Sequence, residues 1–409
     1  MRILIVSHYF PPDITAAAFR IGDFAKAFAR AGHEVSVLTT QPHRGTATDA
    51  LPPDPALESV RVRRTHLSEI GKGGFVNYVR HYMSFVIGSV RQAVGMRLGG
   101  YRPDIIWATS PPLFAGLAGR IMALLFRCPL VLDIRDIWPE SAVSAGQLRD
   151  GGRAFRIGKR LEHYLYARAG AITCVAQPMA EYVRCQTKVP VSVIYNGVPA
   201  SEMEDRAVPA ARQKGPRQIL YAGNLGRVQQ LDLLIRAVAD LKQEGALKDW
   251  IVRIVGDGAL QRELAHQVEQ LGLSGTVAVE PPMSREKVFD NLCSADLLYL
   301  SLKPDPVLRM TIPSKLFDYL MAARPIIGGI AGEGREILAA TGANSCFEPG
   351  DIDSLRTTLR EATRRCTELA RSAEKNRALV LERFTREKAA AQLLDVLTGA
   401  AKREWRTGT

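Results

Sequence analysis

The chain has 409 residues, 46% of them hydrophobic and 23% charged, a globular composition in more chain than one core usually organises, so two domains of roughly 200 residues are expected. Its net charge of +12 is uneven: residues 1–200 hold 24 Lys and Arg against 14 Asp and Glu, and residues 201–409 hold 30 against 28. That asymmetry asks for an anionic partner at the front of the chain. The lack of interleaved aromatics and of helix-turn-helix or zinc-finger spacing excludes nucleic acid and favours an anionic membrane surface.

The opening run Met1–Ser7 is too short and too closely followed by turn residues for a signal peptide and reads as a buried strand. Ala16–Ala31 follows as a helix ending at Gly32, and Glu34–Thr39 as a second strand. The apolar stretch Leu113–Leu132 contains Arg120 and Arg127. Each mid-bilayer arginine costs about 2.5–3.5 kcal/mol, so a buried helix followed by a strand is expected there instead of a membrane span. With strands at Ile105–Thr109, Leu130–Ile134, Ala171–Val175 and Val191–Tyr195, the first half has the βα alternation of a doubly wound parallel sheet.

A polar stretch over residues 200–216, with Pro209 and Pro216, interrupts the pattern. It then restarts with strands at Ile219–Ala222, Ile251–Val255, Val277–Glu280, Leu297–Leu302 and Pro325–Gly328, separated by helical periods. The expected organisation is a Rossmann-like domain over 1–205, a second over 206–384, and a helix over 385–409. The apolar stripe of that last helix, Ala389, Leu393, Leu394 and Leu397, suits packing back on the first half. Six dispersed cysteines without a CxxC pair read as reduced thiols of a cytoplasmic protein.

The run from Pro313 to Ile327 reads as a loop, a Ser-capped amphipathic helix and a buried strand. Ser314 suits an N-cap; the amides after it and Lys315 suit a phosphate, and Asp318, one turn on, suits paired hydroxyls. The same residues also fit an ordinary helix start. In the first half, small residues at Thr15, Ala16 and Ala17 let backbone approach a ligand where strand one meets its helix. Two stretches suit an anionic interface or, equally, an ordinary helix surface: Phe75–Leu98, with Phe75, Tyr78, Arg80, Arg91 and Arg97, and the face Arg153, Arg156, Lys159 and Arg160.

Several of these pieces together resemble glycosyltransferase family 4. They are the opening MRILIVSHYFPPD, the segment Ala31–Val35, Tyr195–Val198, Tyr221–Asn224, Val255–Gly258 and the Pro313–Pro325 run. Thr109–Pro112 followed by Asp133–Ser141 is similar to the bacterial O-antigen and colanic-acid subgroup related to fucosamine transferases. The resemblance spans nearly the whole chain. It implies an α/β GT-B fold, two facing Rossmann-like domains with a central cleft, and retaining transfer from a nucleotide sugar, a UDP-sugar above all. It also implies a polyprenyl-diphosphate-linked saccharide as acceptor and a location at the cytoplasmic face of the membrane.

Carried onto this chain, the resemblance gives a catalytic set of Arg135, Arg227, Lys315 and Asp318. The donor-binding set is Thr15, Ala16, Gly223, Asn224, Gly256, Pro313, Ser314 and Leu316, with His8, Asp136 and Glu140 on the acceptor side. There are departures. Where many relatives have two glutamates eight positions apart, this chain has Met310 and Asp318, so the amides of Thr311 and Ile312 are candidates to hold sugar hydroxyls. Asn224 and Gln229 replace an arginine and a lysine, leaving Arg227, Lys315 and Arg309 as the cations, and Arg135 stands where relatives have histidine. Arg135 also fits an ion pair with Asp133, Asp136 or Glu140. No DxD pair with further ligands is present, so neither a metal nor a cofactor is expected. An epimerase of the same architecture and a noncatalytic nucleotide-sugar-binding protein are the rival readings.

Overall fold

The computed structural model describes residues 1–43, 57–68, 75–144, 146, 148–200 and 215–403. The chain divides into two compact units, Met1–Asn196 with Arg386–Thr409, and Gly197–Thr385. Pro209 and the boundary expected at 205/206 lie outside the described residues, as do the side chains of Phe75 and Tyr78.

In the first unit the strands are β1 (Arg2–Val6), β2 (Glu34–Thr40), β3 (Arg61–Thr65), β4 (Ile105–Ser110), β5 (Leu130–Ile134), β6 (Ala171–Cys174) and β7 (Val191–Val193). The helices are α1 (Ala16–Arg30), α2 (Phe75–Leu98), α3 (Leu113–Phe126), α4 (Glu140–Ser144), α5 (Arg153–Arg168) and α6 (Gln177–Arg184). All neighbouring strands are parallel, in the order β3-β2-β1-β4-β5-β6-β7. Alternation divides the apolar residues between two faces: Ile3, Ile5, Val35, Val37, Ile105 and Trp107 enter one core with α1. Ile106, Ala108, Leu130 and Leu132 point the other way, under α3. Gly119 permits that approach, since a Cβ there would stand 2.6 Å from the Ala108 methyl. The stretch Leu113–Leu132 is thus a helix and a strand, and among the described residues no helix is long and apolar enough to cross a membrane.

The second unit has β8 (Arg217–Ala222), β9 (Trp250–Val255), β10 (Val277–Glu280), β11 (Leu297–Ser301), β12 (Ile326–Gly329) and β13 (Ser345–Cys346), all parallel in the order β10-β9-β8-β11-β12-β13. Its helices are α7 (Leu231–Gln243), α8 (Gln261–Gln270), α9 (Arg285–Ser294), α10 (Lys315–Met321), α11 (Glu333–Ala339), α12 (Ile352–Arg364), α13 (Cys366–Ser372) and α14 (Glu374–Arg383). The order reverses beside β8 here and beside β1 in the first unit, and ligands of such sheets bind at strand carboxyl ends at such points.

Helix α15 (Arg386–Ala401) belongs to the first unit. Ala389, Ala390, Leu393 and Leu397 join the core under α1, and Arg386 pairs with Asp23 and donates to the Asn196 carbonyl at 3.2 Å.

Candidate active site

In the second unit the switch point is built by β8 and α10. Strand β8 ends in Tyr221 and Ala222 and is followed by Gly223 at φ +146°. Lys315 lays its side chain across that turn. A Cβ on Gly223 would lie 2.3 Å from the Lys315 Cε, so glycine is what leaves the lysine its path. The Lys315 Nζ stands 4.2 Å from the centre of the Tyr221 ring and donates to the Tyr221 hydroxyl, which donates to the Asn224 carbonyl at 2.6 Å. Burial, with no opposing carboxylate, pushes the Lys315 ammonium down to about 7.

The surrounding backbone is fixed. The Tyr319 hydroxyl accepts from the Ala222 amide at 2.8 Å, and Arg377 Nε donates to the Met321 carbonyl at 3.0 Å, tying down the C-terminal half of α10. Gly256, at φ +151°, holds the β9 loop against the β8 loop: a Cβ there would meet the Gly223 oxygen at 1.8 Å. Gly256 therefore shapes the site through backbone packing.

Three expectations about this segment change. Ser314 already has helical backbone angles (φ −55°, ψ −31°), so its hydroxyl makes no capping bond; the Pro313 carbonyl instead accepts from Leu316 N at 2.9 Å. Leu316 is fully buried, and with its amide taken it offers nothing to a ligand; the Phe317 amide goes to the Ser314 carbonyl, leaving the amides of Ser314 and Lys315. The Thr311 amide donates to Leu308 O at 3.3 Å and is not open to sugar hydroxyls. Asp318 is half-buried one turn beyond Lys315, while Arg227 and Arg309 are exposed on short turns. Asn224 and Gln229 bond to each other, Nδ2 to Oε1 at 3.5 Å, and Gln229 also accepts from the Gly226 amide at 3.2 Å. Two uncharged amides thus brace a turn.

In the first unit the candidate residues lie in and after β5. Asp133 is fully buried and accepts from Thr173 Oγ1 at 2.7 Å and from the buried Arg20 at 3.4 Å. Arg20, which donates also to the Tyr195 carbonyl at 2.9 Å, is pushed down to about 10 by burial. Arg135 reaches Asp133 with its Nε at 3.8 Å, the ion-pair reading of that residue, yet this nitrogen has no hydrogen-bond partner among the described residues. Burial pushes the Asp136 carboxyl up to about 6, against the opposing pull of Ser141 and Arg135. Glu140 is less available: its Oε1 accepts from Tyr182 at 2.8 Å and pairs with Lys159 at 2.9 Å.

His8 is 1% exposed, packed among His43, His81, Tyr82 and Phe85 with ring centres 5.2–5.9 Å away, so it is enclosed in this structure and presents no open face to an acceptor. Thr15 caps α1, accepting from the Ala18 amide at 3.1 Å, and Ala16 is exposed at the start of that helix. Lys159 does not stand free on the basic face it was expected to share with Arg153, Arg156 and Arg160. It pairs with the fully buried Glu162 as well as Glu140, and donates to the Tyr182 hydroxyl at 2.8 Å. Among the described residues no group of three or more His, Cys, Asp and Glu is placed to hold a metal ion.

Residues 15–197 match the family described as Glycosyl transferase 4-like domain, and residues 203–377 the family Glycosyl transferases group 1. The chain belongs to these glycosyltransferases. WbjE of Pseudomonas aeruginosa, named as a glycosyltransferase, is 25% identical over 58% of this chain and 59% of its own length, so the chain spans under two thirds of that relative. WcaI of Escherichia coli (strain K12), named as a colanic acid biosynthesis glycosyl transferase, is 23% identical over 88% of this chain and 92% of that one. The crystal structure of Anabaena HepE in complex with UDP-glucose is 17% identical with a TM-score of 0.69, covering 98% of this chain and 100% of that one. The two parallel α/β units have the GT-B fold.

Sequence reasoning missed Tyr221. The signal lay in the strand itself: an aromatic two residues before Gly223 must sit beside whatever crosses that glycine. It also missed the pairing of Arg20 with Asp133, whose partners are 113 positions apart.

Proposed function

We propose that this glycosyltransferase moves a sugar from a nucleotide sugar, a UDP-sugar, to a polyprenyl-diphosphate-linked saccharide, with retention and without a metal, in the assembly of bacterial surface polysaccharide at the cytoplasmic face of the membrane. The observation that carries the reading is Lys315 held on Tyr221 across Gly223 at a switch point. The name of WcaI supports polysaccharide assembly, and the UDP-glucose bound in HepE supports the donor class.

When the bond from the anomeric carbon to the diphosphate breaks, negative charge grows on the leaving oxygen and the ring becomes oxocarbenium-like. The Lys315 ammonium and the amides of Ser314 and Lys315 supply fixed donors there, with Arg227 as a second cation, which lowers the barrier without an ion. Asp318 holds sugar or ribose hydroxyls. On the first unit, Arg135 and Asp136 orient the acceptor, and the leaving phosphate takes the acceptor proton, so the enclosed His8 has no proton to move.

The test is calorimetric titration with UDP and GDP, followed by a mass-spectrometric screen of nucleotide sugars against short polyprenyl-diphosphate saccharides. Expected are UDP binding and an acceptor one sugar heavier, with nucleoside diphosphate released only when acceptor is present. A sugar altered without acceptor would make the protein an epimerase, and binding without turnover a noncatalytic binder.

A further inference from the structure

Helices α2, α3 and α5 pack side by side on one face of the first sheet, while α1 and α15 cover the other. The first layer carries Arg80, Arg91, Arg97, Arg120, Arg153, Arg156, Lys159, Arg160 and Arg168; its one acid, Glu162, is fully buried. On the opposite face α1 and α15 mix Asp23, Glu387 and Asp395 with their basic residues. The same layer holds exposed apolar side chains on all three helices: Ile87, Val94 and Leu98, Leu124, and Ile157 and Tyr164. Elsewhere among the described residues only Ile14 and Leu271 are comparably large and exposed. Leu98, 84% exposed, and Ile157, 59% exposed, lie in the same layer as the exposed Arg80, Arg91, Arg153, Arg156 and Arg160.

At the edge of this layer, between β3 and α2, lies an open cavity of about 370 Å³. Arg63, His66 and Arg91 line it with Thr65 and Gln92, and Gly88 and Gly95 form the helix wall. Gly88 lets α2 come down on the strand, since a Cβ there would stand 1.8 Å from Thr65 Oγ1. At about 100° per residue, Arg91 falls between the apolar edge of α2 (Ile87, Leu98) and the cavity edge (Gly88, Gln92, Gly95). A ligand in the cavity therefore meets two guanidinium groups and an imidazole at the border of an exposed apolar stripe. That is the chemistry of a phosphate joined to acyl chains.

We propose that this cavity binds the phosphate headgroup of an anionic membrane lipid while Ile87, Val94 and Leu98 enter the interface. The inference rests on the peripheral-membrane part of the proposed function and is independent of the donor site. The test is flotation of the full chain with vesicles of phosphatidylcholine alone and of phosphatidylcholine mixed with phosphatidylglycerol. Wild-type protein floats with the mixed vesicles, and sn-glycerol 3-phosphate competes. Arg63→Gln with Arg91→Gln weakens binding by about tenfold or more and abolishes the competition. Arg153→Gln with Arg156→Gln, an equal loss of charge on α5, weakens binding less and keeps the competition. Equal losses in the two pairs, with no competition, would overturn the proposal in favour of a diffuse basic surface. Binding of glycerol phosphate by a protein that floats with neither vesicle would overturn it in favour of a free phosphate ligand. UDP titration of the same variants isolates the glycosyltransferase reading, which fails only if the wild type does not bind nucleotide.

Discussion

The state of Lys315 makes a prediction about donor binding that can be worked through in pH. In the free protein burial holds its ammonium near 7 instead of 10.5, and a bound diphosphate, an opposite charge at contact distance, returns it toward the ordinary value. Below about pH 7 the lysine is charged in both states and affinity is flat. Above it the free protein has lost a proton that the complex must take up again, so affinity falls by up to tenfold per pH unit, about 1.4 kcal/mol. Between about pH 7.5 and about pH 9 the Kd for UDP should rise roughly twentyfold, with close to one proton absorbed on binding, as calorimetry in buffers of different ionisation enthalpy will show. Lys315→Met keeps the apolar stem and removes the charge. It should flatten the profile and cost about 1.5–3 kcal/mol at the lower pH, and transfer should fall on the order of a hundredfold. The folded pKa lies below the unfolded one, so the stability penalty is complete below about pH 7 and fades as pH rises toward 10.5. The variant should accordingly be more heat-stable than wild type below pH 7, by a margin that shrinks in alkali. A pH-independent wild-type Kd over this range, or the same slope in Lys315→Met, would refute the assignment.

Because side-chain cations and amides are proposed to stand at the leaving group, transfer should survive excess EDTA; a loss restored by Mg²⁺ or Mn²⁺ would mean that a divalent ion carries that charge. Lys159→Met should lower stability by about 3–5 kcal/mol in urea unfolding, since it strands the buried Glu162 with the Tyr166 hydroxyl 2.8 Å away. Burial already pushes the Glu162 carboxyl up even with Lys159 beside it, whereas Lys159 is held well above its ordinary value; the buried carboxylate is the costly partner, so acid should relieve part of the loss. Gly256→Ala should cost more than about 3 kcal/mol and weaken UDP binding, whereas Gly245→Ala, at φ +73° with nothing within 4 Å of its Cβ, should cost only about 1 kcal/mol and leave UDP binding intact. Equal thermal shifts for the two glycine variants would show that the contact with Gly223 is not what Gly256 serves.

The layout of both sheets was legible because buried parallel strands are continuous apolar runs and their crossover helices have a clear period, as in Ile105–Ser110 followed by Leu113–Phe126. Strand β3 was not legible: its sequence RVRRT has no apolar run, because an edge strand with Arg61 and Arg63 turned to solvent needs none. Ser314 failed for a local reason. A serine after proline reads as a cap whichever residue begins the helix, and only the backbone angles show that the helical conformation had already started.

The charged residues show the deeper limit. A count of Lys and Arg located the basic half of the chain, but it could not separate Lys159, committed to Glu140, Glu162 and Tyr182, from Arg153, Arg156 and Arg160 on the exposed side of the same helix. The partners that decide such a question come from α4, α5 and α6. The proposed donor site poses the same problem in reverse. The sequence marks Lys315 as a cation, yet Tyr221, arriving from 94 positions away, sets where its charge rests and burial sets whether it is charged at all. In a site that stabilises a leaving phosphate, that second property governs the chemistry: an ammonium that is cheap to deprotonate in the free protein is one whose charge is restored by the substrate it is meant to hold.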